Sequence, residues 1–381
     1  MYIQWMKLTA VAFVVIVLFG IVFLAGSGAN AIRASGSPEA APARTDRRSD
    51  TRPAVPVLAT GQGTLRTASA ALVLHHTPDD LAANMMSGGP PPDGIPSIDD
   101  PKFVPADRAG LDRGDMIVGL DYGGTVRAYP HRILVHHEIV NHRIGGPEEG
   151  GENIAVTYCP LTATAQAFRT GTTTLGVSGR LINSNLVMYD RDTGSLWPQI
   201  AATAIAGERR GESLDEINVT WTTWGAWVDR HPETEVLSTD TGYLRNYDRD
   251  PYGSYNPAGG YYTMDRTMFP VMHEDDRYHP KHMVVGARTT AHAVFFDLEA
   301  LRRQGLQETE RFIGVYDPDL RTAYIYEKDG AFDGTYEEGQ IVARGGGDTY
   351  RADELPLEQV VAIEAFAFAW IAFYPDSEHP R

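Results

Sequence analysis

From residue 116 to residue 198 the chain is a succession of short apolar runs, each closed by Gly, Asp, Asn or Pro. That punctuation leaves room for strands and hairpins and little for long helices. Met116-Ile117-Val118-Gly119-Leu120 and Thr125-Val126-Arg127-Ala128-Tyr129 flank Asp121-Tyr122-Gly123-Gly124, a turn-forming spacer that reads as a hairpin, and Pro130 ends the second strand. Further strands are predicted over 154–158, 165–169, 174–178 and 185–190, the last turning through Arg191-Asp192-Thr193-Gly194 into Ser195-Leu196-Trp197. Apolar residues recur three or four apart only in shorter pieces, 80–86, 222–230, 298–304 and 357–366, which read as helices laid on sheets. The expected class is therefore α+β and β-rich: mainly antiparallel sheets or a partly closed barrel, with a few short packing helices.

Residues 116–134 (MIVGLDYGGTVRAYPHRIL) align without a gap with residues 283–301 (MVVGARTTAHAVFFDLEAL). The same hairpin is expected twice, in two halves that share one β-rich body over residues 64–381. Ahead of that body, residues 8–26 (LTAVAFVVIVLFGIVFLAG) are uncharged, and as a helix they would reach about 28 Å, roughly a bilayer hydrocarbon core. Residues 1–26 thus read as an N-terminal membrane anchor or signal. Ala29-Asn30-Ala31 resembles a cleavage site, while the length of the run favours an uncleaved anchor. Residues 27–63, rich in Ala, Ser, Pro, Gly and Arg, read as a disordered linker. One N-terminal membrane helix followed by a large polar body predicts a membrane-anchored protein whose bulk is extracytoplasmic. Lys7 before the run and five arginines from Arg33 to Arg52 after it give no clean orientation.

The net charge is −17, carried with 29 arginines and four lysines, and no basic stripe interleaved with aromatics is present. A body this acidic is repelled by phosphate backbones, so no nucleic acid partner is expected.

Sulfur chemistry has one place to happen. The single cysteine sits in Thr157-Tyr158-Cys159-Pro160-Leu161-Thr162 and can form no internal disulfide. The tetrapeptide from Cys159 has the layout of a redox motif whose second cysteine is replaced by the Thr162 hydroxyl, which would lower the thiol pKa by hydrogen bonding. The alternative is a buried cysteine acting as a small hydrophobe. About twenty residues earlier stands His136-His137-Glu138-Ile139-Val140-Asn141-His142. Read as extended, it puts His137 and Asn141 on one face, where His137 would favour the Cys159 thiolate or would be satisfied by backbone carbonyls at a sheet end. Nothing in this string has zincin spacing, and no Cys-x-x-Cys-His is available for haem. The site so read requires no metal and no cofactor. A rival use of soft ligands is the stretch holding Met264, Met268, Met272, Met283, His273, His279 and His282, the donor set of an exported copper carrier.

Taken together, RAYPHRILVHHEIVNH, VTYCPLTATAQAF, GVSGRLINSNLVMYDRDTGSLWPQ, HPETEVLSTDTG, DPYGSY and AFAWIAFYPD resemble the domain of unknown function 3179 family, over residues 116–375. Members of that family are described as (seleno)proteins, with selenocysteine replacing the cysteine of the TYCPLT string in some. The resemblance implies redox chemistry at Cys159. It carries over Cys159, Thr162, His137 and Glu138 as catalytic residues, and Asn141, Asn183, Asn185, Asp190 and Arg191 as residues around a substrate, with Trp197 nearby. The chain departs from the family at Ala163, where Gly is common, and at His282, where an acidic residue is usual. The expected function is a membrane-anchored, extracytoplasmic thiol oxidoreductase or peroxidase-like protein. Without a resolving cysteine it needs an external thiol or protein reductant. The alternative is a non-enzymatic exported binding module, for copper through the His/Met stretch or for a partner protein. Acyl transfer through Cys159 and His137 ranks last, because no oxyanion-hole signature accompanies them.

Overall fold

The computed structural model describes residues 64–145, 151–328, 330, 332–344 and 347–380. The proposed anchor at 1–26 and the linker at 27–63 lie outside the described residues. Among the described residues no helix is long and apolar enough to cross a membrane.

The body is β-rich. Its strands pair almost entirely antiparallel, and none of the sheets closes into a barrel. The predicted hairpin is present as strands Met116–Tyr122 and Thr125–Pro130, and three of the four helical stretches are recovered as Pro78–Ala83, Trp224–Arg230 and Leu298–Gln304. The fourth differs. Residues 357–366 hold strands Gln359–Val360 and Ile363–Phe366, and the helix begins only at Ala367. Residues 363–366 pair in a sheet with Met283–Arg288, while helix Ala367–Phe373 is buried on all sides and so carries no amphipathic stripe to mark it.

Residues 116–137 and 283–304 follow the same course of strand, turn, strand and helix, the second copy being Met283–Arg288, Ala293–Asp297 and Leu298–Gln304. The likeness continues far beyond the matching sequence. A further strand pairs antiparallel with the first strand of each hairpin in the same register, Thr223 opposite Met116 and Phe366 opposite Met283. Each of these strands runs into a helix whose tryptophan lies flat on the hairpin's glycine, Trp227 on Gly119 and Trp370 on Gly286. Both indole N–H groups donate to a hydroxyl seven residues on, Trp227 to Thr234 Oγ1 at 3.0 Å and Trp370 to Ser377 Oγ at 3.1 Å. Next along the chain, Glu235 bridges Arg127 and Glu378 bridges Val294, both in parallel sense. Hairpin Glu152–Cys159 with Thr164–Gly171 likewise corresponds to Phe312–Asp317 with Thr322–Glu327. Cys159 faces Thr164 as Asp317 faces Thr322, and the loop residue before the return strand has positive φ in both, +53° at Ala163 and +57° at Arg321. The two halves hold each other at these loops. Phe366 N–H donates to Thr162 O at 2.9 Å, and the Thr222 hydroxyl donates to Leu320 O.

A Cβ at Gly119 or Gly286 would lie 2.3 Å from the indole ring above it, and that ring is walled in by core. Gly119→Ala and Gly286→Ala are each expected to destabilise the body by about 1–3 kcal/mol through overpacking. Denaturant titrations of the two variants check this, and an unchanged midpoint would contradict the shared seat.

Candidate functional site

Cys159 is the last residue of strand Glu152–Cys159, and the chain returns through Pro160, Leu161, Thr162 and Ala163. Ala163 occupies the left-handed region, where Gly is free of strain. The turn places Thr162 N–H on Cys159 O at 3.3 Å. A second hairpin, Leu175–Ile182 with Asn185–Asp190, folds its two-residue turn over the sulfur. Asn183 and Ser184 have φ of +50° and +60°, the type I′ geometry that matches strand twist. Leu186 N–H donates to Cys159 Sγ at 3.3 Å, and the thiol faces Ser184 O at 3.8 Å.

A buried polar network fixes Thr162. Asn185 Nδ2 donates to Thr162 Oγ1 at 3.0 Å and to Gln199 Oε1 at 3.0 Å, while Asn185 Oδ1 accepts from Ile200 N–H at 2.9 Å. Gln199 Nε2 in turn donates to Thr157 Oγ1 and Thr164 O, and Gln166 Nε2 donates to Gln199 O. With Asn185 already donating to its oxygen, the Thr162 hydroxyl turns its own proton to the sulfur. Burial nevertheless dominates the thiol. Desolvation, followed by the nearby Glu138 carboxyl, pushes Cys159 up to about 11 against the hydrogen bonds from Thr162 and Leu186.

Residues 131–137 are a helix, not a strand, so the alternation expected for the His136–His142 string begins only at Ile139. Pro130 stands at the N-cap, and buried Ile133, Leu134 and His137 form one helical face. His137 points away from the thiol: Nδ1 lies 2.8 Å from Pro96 O and Nε2 2.7 Å from Tyr247 OH. Desolvation pushes it down to about 4, so it is neutral. Glu138 is the member of the string whose charge bears on Cys159, raising the thiol. It caps the helix in the left-handed region with φ +59°, and its carbonyl accepts from Tyr158 N–H at 2.7 Å. Glu138 is 8 % exposed, its carboxyl makes no hydrogen bond or ion pair with any described residue, and desolvation pushes it up to about 8. The matching position in the second half is Gly305, in the same left-handed region with φ +78°. Among the differences between the halves, two meet here, Glu for Gly at the helix cap and Cys for Asp at the strand end, since Glu138 O accepts from the residue just before Cys159.

The remaining expected residues divide. Asn185 belongs to the Cys159 network, and Asn183 fastens its turn, accepting from Met272 N–H at 2.7 Å and donating to Ala372 O at 3.2 Å. Asn141 and Arg191 lie elsewhere. Asn141 exchanges hydrogen bonds with the Leu175 backbone and donates to Asp99, and Arg191 pairs with Asp93 and Asp99 at 3.3 and 3.1 Å. Asn141 also lines an open cleft of about 360 Å³ with Asp99, Arg127, His142 and Arg143. Asp190 holds the indole of Trp197 at 2.9 Å and the Thr193 turn. Sequence reasoning missed Ser184, Gln166, Gln199, Tyr252 and Tyr261, the two phenols being raised in part by the charge Cys159 would carry. A lone Gln in a strand or Tyr in a loop carries no spacing signal of its own. In the His/Met stretch, His282 stacks on Tyr278 and sits 3.0 Å from Asp297, and His279 Nδ1 accepts from Lys281 N–H. Among the described residues no three His, Cys, Asp or Glu side chains gather where they could hold a metal ion.

The profile of the family described as protein of unknown function (DUF3179) matches residues 92–377. The chain belongs to this family. The match takes in Glu138, Cys159 and both halves of the body. No curated protein and no solved structure matches the chain.

Glu138 titrates from about 4.5 when unfolded to about 8 in place. A raised acid contributes stability that is complete below pH 4.5 and is lost as pH climbs through 8. Glu138→Gln removes that loss. Its stability relative to the parent chain is expected to improve by about 2–4 kcal/mol between pH 5 and pH 8, measured by denaturant titration at the two pH values; a constant difference would contradict a carboxyl raised by desolvation.

Proposed function

We propose that the protein is a thiol redox protein in which Cys159 reduces a hydroperoxide and an external thiol restores it. The observation that carries this reading is the sulfur's surroundings. Hydrogen bonds from Leu186 N–H and Thr162 converge on it, and an unpartnered acid, Glu138, occupies a backbone position that favours glycine. Core filler needs none of these. A buried acid near neutrality is the usual form of a general acid or base.

In the reaction the sulfur attacks the distal oxygen of ROOH. The S–O bond forms, the O–O bond breaks, and the thiol proton passes through Glu138 to the departing alkoxide, leaving ROH and Cys159 sulfenic acid. A first external thiol condenses with the sulfenic acid, forming S–S and releasing water. A second attacks the mixed disulfide, freeing Cys159 and leaving with the first as a disulfide. Two thiols are oxidised for each peroxide reduced, which supplies what the missing second cysteine cannot. The apolar run at residues 8–26 would anchor the body at a membrane, with the reductant outside the cytoplasm.

Peroxide treatment with a sulfenic acid trap and mass spectrometry tests this. Cys159 in the folded protein is expected to be trapped as a sulfenic acid, Cys159→Ser to give no adduct, and Glu138→Gln to slow trapping by about 10–100-fold. A folded thiol that gives no adduct, or gives it as fast in Glu138→Gln as in the parent chain, would overturn the reading.

A further inference from the structure

Cys159 is 1 % exposed, so no reagent reaches it until something moves. Two layers cover it. The inner one is the Asn183-Ser184 turn. The outer one is residues 264–282, which contain no helix or strand. Structureless connections beyond about 12–15 residues are uncommon in compact domains and are usually functional. Phe269, Val271 and Met272 of this segment are half-buried on the core cluster that includes Cys159, while Met268 stands exposed.

Four polar ties fasten the segment, and they surround the sulfur. Ser184 reaches both layers, its carbonyl facing Cys159 Sγ and its hydroxyl donating to Phe269 O at 2.9 Å. Met272 N–H donates to Asn183 Oδ1. The Tyr261 hydroxyl meets the Met268 backbone and donates to Leu161 O, in the turn that follows Cys159, at 2.8 Å. Lys281 closes the loop on itself, Nζ donating to Arg266 O at 2.9 Å. Lys281 is one of four lysines in the chain, and its buried side chain stands in an aromatic cage, Nζ being 3.9 Å from the Tyr261 centroid, 4.7 Å from Phe368 and 5.3 Å from Phe366. An ammonium held over desolvated rings is attracted by their quadrupoles. It is compact enough to fit where a planar guanidinium is not.

We propose that residues 264–282 form a gate over Cys159 and that Lys281 is the positioning residue that holds it shut. The purpose of the gate rests on the reading of Cys159 as a reacting thiol. Closed, it keeps the sulfur desolvated and protonated. Open, it admits water and reagent while the Thr162 and Leu186 donors stay on the body side, ready for the thiolate.

The test is the rate at which N-ethylmaleimide alkylates Cys159 in the full-length folded protein, set beside the thermal midpoint. Lys281→Met fills the cage but donates nothing; it is expected to speed alkylation about 10–100-fold, the loss of one charged hydrogen bond, with the midpoint lowered by only the few degrees that the same bond is worth. Lys281→Arg is expected to fall between Met and the parent, and Lys102→Met to change nothing. A parental rate in Lys281→Met, or alkylation whose urea dependence is as steep as that of global unfolding, would overturn the gate. Should Lys281→Met fail to fold, Ser184→Ala removes the Phe269 tie and is held to the same two outcomes. Fast alkylation with no peroxide reaction would overturn the redox reading and leave the gate standing; peroxide reaction with no effect of the latch would do the reverse.

Discussion

The seat of a tryptophan on a glycine organises this body twice. Trp227 on Gly119 and Trp370 on Gly286 are possible only because the hairpin strand offers bare backbone at that position, and each seat brings a helix, a following strand and a capping hydroxyl into place. A tryptophan buries roughly 150–250 Å² of surface, so each seat is a large share of the local core. Once both are formed, the loops at the ends of strands Glu152–Cys159 and Phe312–Asp317 face the opposite half and are clamped by it, Thr162 by Phe366 and Leu320 by Thr222. The position of Cys159 is thus set by contacts from both halves of the chain, and a change in either seat should reach the sulfur.

Where the halves differ, the difference is informative, because the same backbone serves as its own control. At the helix cap the second half uses Gly305, the residue that adopts left-handed φ without strain. The first half puts Glu138 there, accepting strain of order 1 kcal/mol together with the desolvation of an unpartnered carboxyl. At the strand end Asp317 serves its own turn, accepting from the Asp319 and Leu320 N–H groups at 2.9 Å, whereas Cys159 leaves its turn to Thr162 and turns toward Leu186. A turn carboxylate and a cap glycine are what stability alone selects at these positions. The first half gives up both, in adjacent positions.

Much of this was legible in the chain. The Met116 hairpin, the β-rich class and the gapless match at Met283 follow from period-two patterning and turn residues, which act locally. The Trp seats were not, since they join residues more than eighty positions apart and a glycine in a strand looks the same whether or not a ring covers it. Residues 131–138 misled for a different reason. His136-His137-Glu138 runs into β-branched Ile139-Val140, so alternation extended backward fits as well as a helix does, and only Pro130 at the cap and the left-handed Glu138 separate the two. That choice moved His137 from the sulfur to Pro96 and Tyr247 and brought Glu138 in. Thr162 and Asn185 stood out because the family resemblance marks them, whereas Gln166 and Gln199, which lie in the same strings, and Lys281 did not, because a buried amide or ammonium is recognisable only from its partners.

Proton distribution between Glu138 and Cys159 then follows from their shared enclosure. Two acids within reach in a desolvated space do not ionise independently, since the first charge raises the second group. Glu138 ionises first, near 8, and the thiol is held near 11. Over the interval between, the closed site holds one carboxylate and one protonated thiol, a base beside its acid with the proton not yet moved. Transfer in the closed state is uphill because a thiolate gains only the Leu186 and Thr162 donors, and Ser184 O, which suits the S–H, opposes the anion. Water entering from the side of residues 264–282 would relieve the desolvation of both groups, and the thiol, with donors already aimed at it, gains more from that relief than the carboxyl, which has none. Burial therefore favours the protonated thiol in the closed site, and the redox role proposed for it would depend on access before it depended on pKa.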